Sequence, residues 1–143
     1  MPGLADELKQ VPLFSGLGQR QLRRLAEDFK QCAFEPGMTP LREGRMSGVG
    51  FYVIREGEAS VSVGGKELAR LGPGDHFGEL GLISERARTA TVTAETRLHC
   101  LKLADWDFRR FLKESPDVAW KLLEHVVGLL VDARERGSAA SDG

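Results

Sequence analysis

The chain has 143 residues, with 20 Lys+Arg against 21 Asp+Glu, a formal net charge of −1 and a hydrophobic fraction of 41%. That size suits one domain around a single core, and the balanced charge provides no basic field of the kind that nucleic-acid or anionic-membrane binders carry. No apolar run approaches the ~20 residues that span a bilayer, the N-terminal MPGLADELKQ is acidic where a signal peptide would be basic, and two cysteines, Cys32 and Cys100, make no disulfide framework. A soluble cytoplasmic protein is expected, with no membrane association.

Helical patterns come first, over about residues 4–30. From Gln19 to Phe29 the spacing of Leu22, Leu25, Ala26 and Phe29 lays one apolar stripe on a helix otherwise covered by Arg, Gln and Glu. A β region follows, over about residues 31–103. Eleven of the 17 glycines fall between Gly37 and Gly81, and glycines spaced between short apolar runs mark tight turns. Phe51 to Ile54 is a β-favouring run, Ala59 to Val63 alternates as a half-buried strand does, and Gly64-Gly65 closes a hairpin onto Lys66 to Leu71. Thr91 to Ala94 and Leu98 to Leu103 supply further strands. Short strands at this spacing predict a small barrel or jelly roll, which protects its sheet edges.

Helices return over about residues 105–136. Asp105 is placed to cap one carrying Trp106, Phe108, Phe111 and Leu112, and Pro116 to open the last. Val126 to Val131 is apolar nearly all the way round that last helix, whereas a terminal helix buries only one face on its own domain. A second copy of the same helix would cover the other face, so a homodimer is expected. Residues 137–143, small and polar, read as a disordered tail.

The chemistry lies between Gly74 and Ala94. Phe77-Gly78-Glu79-Leu80 suits a turn opening into a short helix, whose first amides are unpaired and attract anions. Arg88 follows, a planar two-pronged donor for phosphate oxygens, with the small residues Thr89 and Ala90 beside it. Glu79 cannot bind phosphate but accepts hydrogen bonds from hydroxyls, so the pair suits a ligand carrying both a phosphate and a sugar.

Phe77 to Leu82 and Arg88 to Ala94 together resemble the phosphate-binding cassette of the cyclic-nucleotide-binding domain family, matching Phe-Gly-Glu-(Leu/Met)-(Ala/Gly)-Leu and Arg-(Ala/Ser/Thr)-Ala-(Thr/Ser)-Val-x-Ala without a break. The resemblance extends over about residues 8–136. It implies an α+β fold, an eight-stranded β-roll (a jelly roll or double-stranded β-helix) with flanking N- and C-terminal helices. By the same resemblance Arg88 and the backbone near Gly81, Thr89 and Ala90 hold a cyclic phosphate. Glu79 and the backbone of Gly78 take the ribose 2′-hydroxyl, within the run Phe77 to Gly81 that includes Leu80, and Val61, Leu68 and Ala69 line the base pocket. Cyclic AMP is placed ahead of cyclic GMP. Ala133 and Arg134 stand where the catabolite activator protein has hydroxylated adenine contacts, and Arg134 is the residue here that would meet the purine.

The resulting expectation is a non-catalytic sensor, with no cofactor and no metal, acting on an effector carried by another chain. The last helix would close over the base as a lid. Two other classes share features of the sequence: a ligand-free scaffold of the same fold, and a cupin-type metalloenzyme suggested by His76-x-x-Glu79. The cupin needs a His-x-His pair before its glutamate, which the sequence lacks. No nucleophile and base pair or paired carboxylates argue for an enzyme. Only residues 137–143 follow the last helix, so no helix-turn-helix and no direct nucleic-acid binding is expected.

Overall fold

The computed structural model describes residues 3–44, 50–83 and 90–142, with side chains described through residue 136. Three elements precede the sheets: α1 (Leu4–Lys9), a 3-10 turn (Pro12–Phe14) and α2 (Gln19–Asp28). The strands are β1 (Lys30–Phe34), β2 (Gly50–Glu56), β3 (Ala59–Val63), β4 (Lys66–Leu71), β5 (His76–Phe77), β6 (Thr91–Ala94) and β7 (Leu98–Ala104). Between β5 and β6 lies the short α3 (Glu79–Ile83), and α4 (Asp105–Glu114) and α5 (Pro116–Asp142) complete the chain.

The strands form two antiparallel sheets, β1-β7-β2-β5 and β4-β3-β6. This is the expected β-roll with flanking helices. The described residues contain seven strands where eight were expected. Leu41 contributes only an isolated bridge to Val92, since Pro40 beside it lacks the amide that a longer ladder would need. Gly64 and Gly65, at φ of 58° and 80°, close the predicted β3–β4 hairpin; two consecutive positive φ values give the turn whose twist suits flanking strands.

The apolar run of β2 is explained by burial on both faces. Phe51 and Val53 join Leu101 and Leu103 of β7 in a core shared with Phe14, Leu22, Phe108, Val118 and Leu122 from the helices. Tyr52 and Ile54 point the other way, into a second core between the sheets with Phe77, Val92 and Cys100. Strand alternation thus makes β2 the wall between roll and helices. The predicted stripe on α2 is present, with Leu22, Leu25 and, just beyond it, Phe29 buried.

Two helix boundaries differ from expectation. The cap position of α4 is Ala104 rather than Asp105, with no side-chain capping bond. Asp105 sits instead with Asp107 in the first turn, where negative charge favours the positive end of the helix. Helical backbone also continues through Asp142, across the stretch read as a disordered tail; Ala139 and Ala140 there are strong helix formers. Cys32 and Cys100 face each other across β1 and β7 as free thiols. A hydrogen bond from Cys100 lowers the pKa of Cys32, and that bond together with burial raises the pKa of Cys100.

Phe51 is fully buried, stacked on Phe108 at 5.0 Å and in edge contact with Phe14 and Phe29. Phe51→Ala would open a cavity where sheet and helices meet. We expect a loss of about 3–5 kcal/mol, read from equilibrium urea unfolding; a loss below about 1 kcal/mol would contradict this placement of the core.

Candidate functional site

The site begins where β5 pairs with β2. The two residues of β5 point to opposite faces. Phe77 enters the roll and stacks on Tyr52, with centroids 4.7 Å apart, while His76 lies on the helix side, its ring 5.2 Å from that of Phe51. The chain then turns at Gly78, where φ is 96°. A Cβ at this position would collide with the carbonyl oxygen of Gly50. Glycine is therefore required twice over, by the backbone angle and by the close approach.

That turn brings Glu79, the first residue of α3, back beside His76. Its side chain is only 7% exposed. Two imidazoles hold it: His76 Nδ1 lies 3.3 Å from Oε2, and His125 Nε2, from α5, lies 3.0 Å from Oε1. The two rings meet edge to face, with centroids 5.1 Å apart. Burial alone would raise the pKa of Glu79, but the hydrogen bonds from His125 and His76 outweigh it and bring it down to about 2. The same bond raises the pKa of His125, against the opposing effect of burial. Glu79 is thus a buried, ionised carboxylate fixed from one side by the sheet and from the other by the last helix.

The rest of α3 is tied to the helices as well. Leu82 is buried in the helix-side core, and the guanidinium of Arg109, on α4, donates two hydrogen bonds of 3.2 Å each to the carbonyl of Leu82. Leu80 and Gly81 are half-buried and Ile83 is exposed. Phe77, Gly78, Glu79, Leu80 and Gly81 therefore form one continuous turn at the seam between roll and helices. Ala90 leads into β6 half-buried. Arg88 and Thr89 lie outside the described residues.

Val61, Leu68 and Ala69 share the β3–β4 hairpin. Val61 pairs with Ala69 on one side and with Val92 on the other. The register slips after Val61, from Ala69 to Glu67, which leaves Leu68 as the extra residue of a bulge. Leu68 is 47% exposed, a re-aimed side chain of the sort that bulges produce. Arg134 stands apart from this group, in the stretch of α5 from Val127 to Arg136 whose residues are all exposed. A cavity of about 510 Å3 opens elsewhere, beside Glu7, Cys32, Arg55 and His99; none of the expected ligand residues lines it, and it lacks the cassette's pairing of turn and buried acceptor.

Sequence reasoning missed His125 and Arg109. His76, His99 and His125 share no helix face or metal-ligand spacing in the sequence, so the histidine pattern does not single out His125. The available signal was a different one: Val118 and Leu122 are buried on α5, and His125 continues their i, i+4, i+7 stripe toward the core. Arg109 had no such signal, since its target is a main-chain carbonyl.

A β-roll that presents a glycine turn and a buried carboxylate at its junction with helices defines a class of ligand-binding modules. The chain belongs to the cyclic nucleotide-binding domain family, whose model matches residues 31–115. It is 39% identical over 107 residues to a cAMP-dependent protein kinase regulatory subunit of Yarrowia lipolytica, an alignment covering 73% of this chain and 28% of that one. Among solved structures it resembles the catabolite activator protein of Thermus thermophilus, with a TM-score of 0.79 and 28% identity over 91% of this chain and 63% of that one. It also resembles the regulatory domain of Toxoplasma gondii PKA solved with cAMP, with a TM-score of 0.73 and 27% identity over 85% and 49% of the two chains. The chain spans under a third of the length of the kinase subunit it matches.

Gly78→Ala tests the geometry of the turn. The left-handed backbone alone should cost about 1–3 kcal/mol, before the clash with Gly50 is counted, so thermal unfolding should fall by several degrees. An unchanged melting temperature would contradict the turn as described.

Proposed function

We propose that this chain binds a cyclic nucleotide monophosphate, cyclic AMP ahead of cyclic GMP, and acts as a non-catalytic sensor. The observation that carries this reading is Glu79, an ionised acceptor held at the head of a segment that fits the family's cassette. The kinase relative is named for cAMP dependence, and the Toxoplasma neighbour is described with cAMP. In this reading Arg88, with the backbone near Gly81, Thr89 and Ala90, takes the phosphate. Glu79 and the backbone of Gly78 take the ribose hydroxyl, Phe77 and Leu80 hold the turn, and Val61, Leu68 and Ala69 face the base. Arg134 meets the purine when the lid is closed. No cofactor and no catalytic residue enter this mechanism.

The histidine pair gives the sensor a route to its last helix. His76 is 13% exposed and His125 36%, so the open side of Glu79 is the side that His125 covers. A ribose hydroxyl arriving there takes over the carboxylate oxygen that His125 holds, and α5 exchanges that tie for the lid contact of Arg134 with the base. The ligand shifts the helix only by the difference between its own contacts and the one it replaces. Arg109 keeps α3 joined to α4 meanwhile, so a change in the cassette reaches the helical layer.

In this reading the effector is carried by another chain and the sensor acts in the cytoplasm. Among the described residues, no helix is long and apolar enough to cross a membrane. The exposed part of α5 supports a homodimer. Trp120, Leu123, Val127 and Leu130 are each about half exposed or more, and their alternating spacing of three and four residues is that of a two-stranded seam.

Calorimetric titration with cyclic AMP and cyclic GMP tests the ligand. Micromolar or tighter binding is expected for at least one, and no heat or spectral change with either would leave a ligand-free scaffold. Arg88→Ala should weaken binding by about 1.5–3 kcal/mol, the loss of a charged hydrogen-bonding partner, or roughly 10–150-fold. An unchanged affinity would remove Arg88 from the site. Sedimentation tests the dimer: the wild type should sediment as a dimer and Leu130→Glu as a monomer, whereas a wild-type monomer at high micromolar concentration contradicts the seam.

A further inference from the structure

We propose that His76, Glu79 and His125 form a binding site for a divalent transition-metal ion of the Zn2+ type, bridging the cassette and helix α5. Their ligating atoms all lie within 4.8 Å of one another, and the two nitrogen–oxygen separations are 3.3 Å and 3.0 Å. Zn2+ binds imidazole nitrogen and carboxylate oxygen at about 2.0–2.2 Å, which places the donors of a tetrahedral site roughly 3.3–3.5 Å apart. The His76 Nδ1–Oε2 pair already falls at that spacing, while His125 Nε2 sits just inside it on the other carboxylate oxygen, Oε1. Bringing all three donors onto one ion means closing separations of up to 4.8 Å, and His125, the most exposed of the three side chains, has the most room to turn.

The donor set selects the ion. Two imidazoles and one carboxylate suit Zn2+, Co2+, Ni2+ or Fe2+, whereas Mg2+ and Ca2+ prefer all-oxygen shells. Three protein ligands leave at least one position for water, as in the His2Glu sites that use one. The setting is suitable as well: Glu79 and His76 are largely buried, against the apolar surface of Phe51, and His125 leaves an approach from solvent. Each ring would turn a nitrogen lone pair to the ion, the proton it now shares with Glu79 moving to its other nitrogen or to solvent.

The consequence for regulation rests on the function proposed above. An ion held by Glu79 occupies the acceptor meant for the ribose hydroxyl and fastens α5 to the cassette, so the ion and the cyclic nucleotide oppose each other.

The test uses the full chain stripped with a chelator and titrated with Zn2+ in the absence of nucleotide, so that its outcome is independent of cyclic nucleotide binding. One ion per chain should bind at micromolar or lower concentration, Co2+ should give the visible absorption of a four-coordinate site, and Mg2+ should give no signal. His125→Ala and the milder His125→Gln should each weaken Zn2+ binding by roughly 100-fold or more, because losing even an outer partner of a metal ligand costs ~10–100-fold. Cys32→Ser, Cys100→Ser and His99→Ala, which remove the other cysteine and histidine donors of the chain, should each leave it unchanged. Absent binding, or binding lost in Cys32→Ser and kept in folded His125→Gln, overturns the site. With cyclic AMP as second ligand, Zn2+ should raise its apparent Kd in the wild type but not in His125→Gln; an equal Kd with and without Zn2+ in the wild type overturns the antagonism.

Discussion

The buried carboxylate of Glu79 is the contact on which the working end of this domain depends. A charge at 5% exposure is tolerated only when partners replace the water it has lost. Here those partners come from two layers, His76 at the end of β5 and His125 on α5. The electrostatic need of one side chain therefore adds a polar tie between helix and roll to the apolar packing of Val118 and Leu122. Remove the glycine turn, and Glu79 no longer reaches either ring; remove the helix, and the carboxylate is left with one partner.

The surrounding architecture serves that contact. Because β2 is buried on both faces, alternation carries one line of side chains into the roll and the other toward the helices. His76 inherits the second direction through the pairing of β5 with β2. Arg109 then fixes the far end of α3 from α4. α3 is thus held at both ends by helices that follow it in sequence, a direct mechanical route from Glu79 to α5.

Much of this was legible in the sequence, and the rest was not for identifiable reasons. The turns of the roll were visible because glycine at positive φ is a local requirement, as at Gly64 and Gly65. The stripe of α2 was visible because burial on one face repeats with the helix period. Gly78 and Glu79 stood out through their place in the cassette. The joining of Glu79 to His125 was not legible, because those two residues are 46 positions apart and meet only after the helical layer has packed on the roll. The α4 cap was misplaced by one residue because Asp serves both as a cap and in a first turn, and single-residue boundaries follow backbone angles that composition does not reveal. The apolar stretch of α5 is exposed from Val127 onward, because a terminal helix buries only one face on its own domain.

The central claim is that ligand and helix compete for one carboxylate. Following the His125 ring by nuclear magnetic resonance while cyclic AMP is added tests it most directly, with the Glu79→Gln variant as reference for a ring without its partner's charge. The His125 signals should move toward those of the variant and reach their end point at the same cyclic AMP concentration that saturates binding. Saturating binding with His125 signals unmoved would contradict the account.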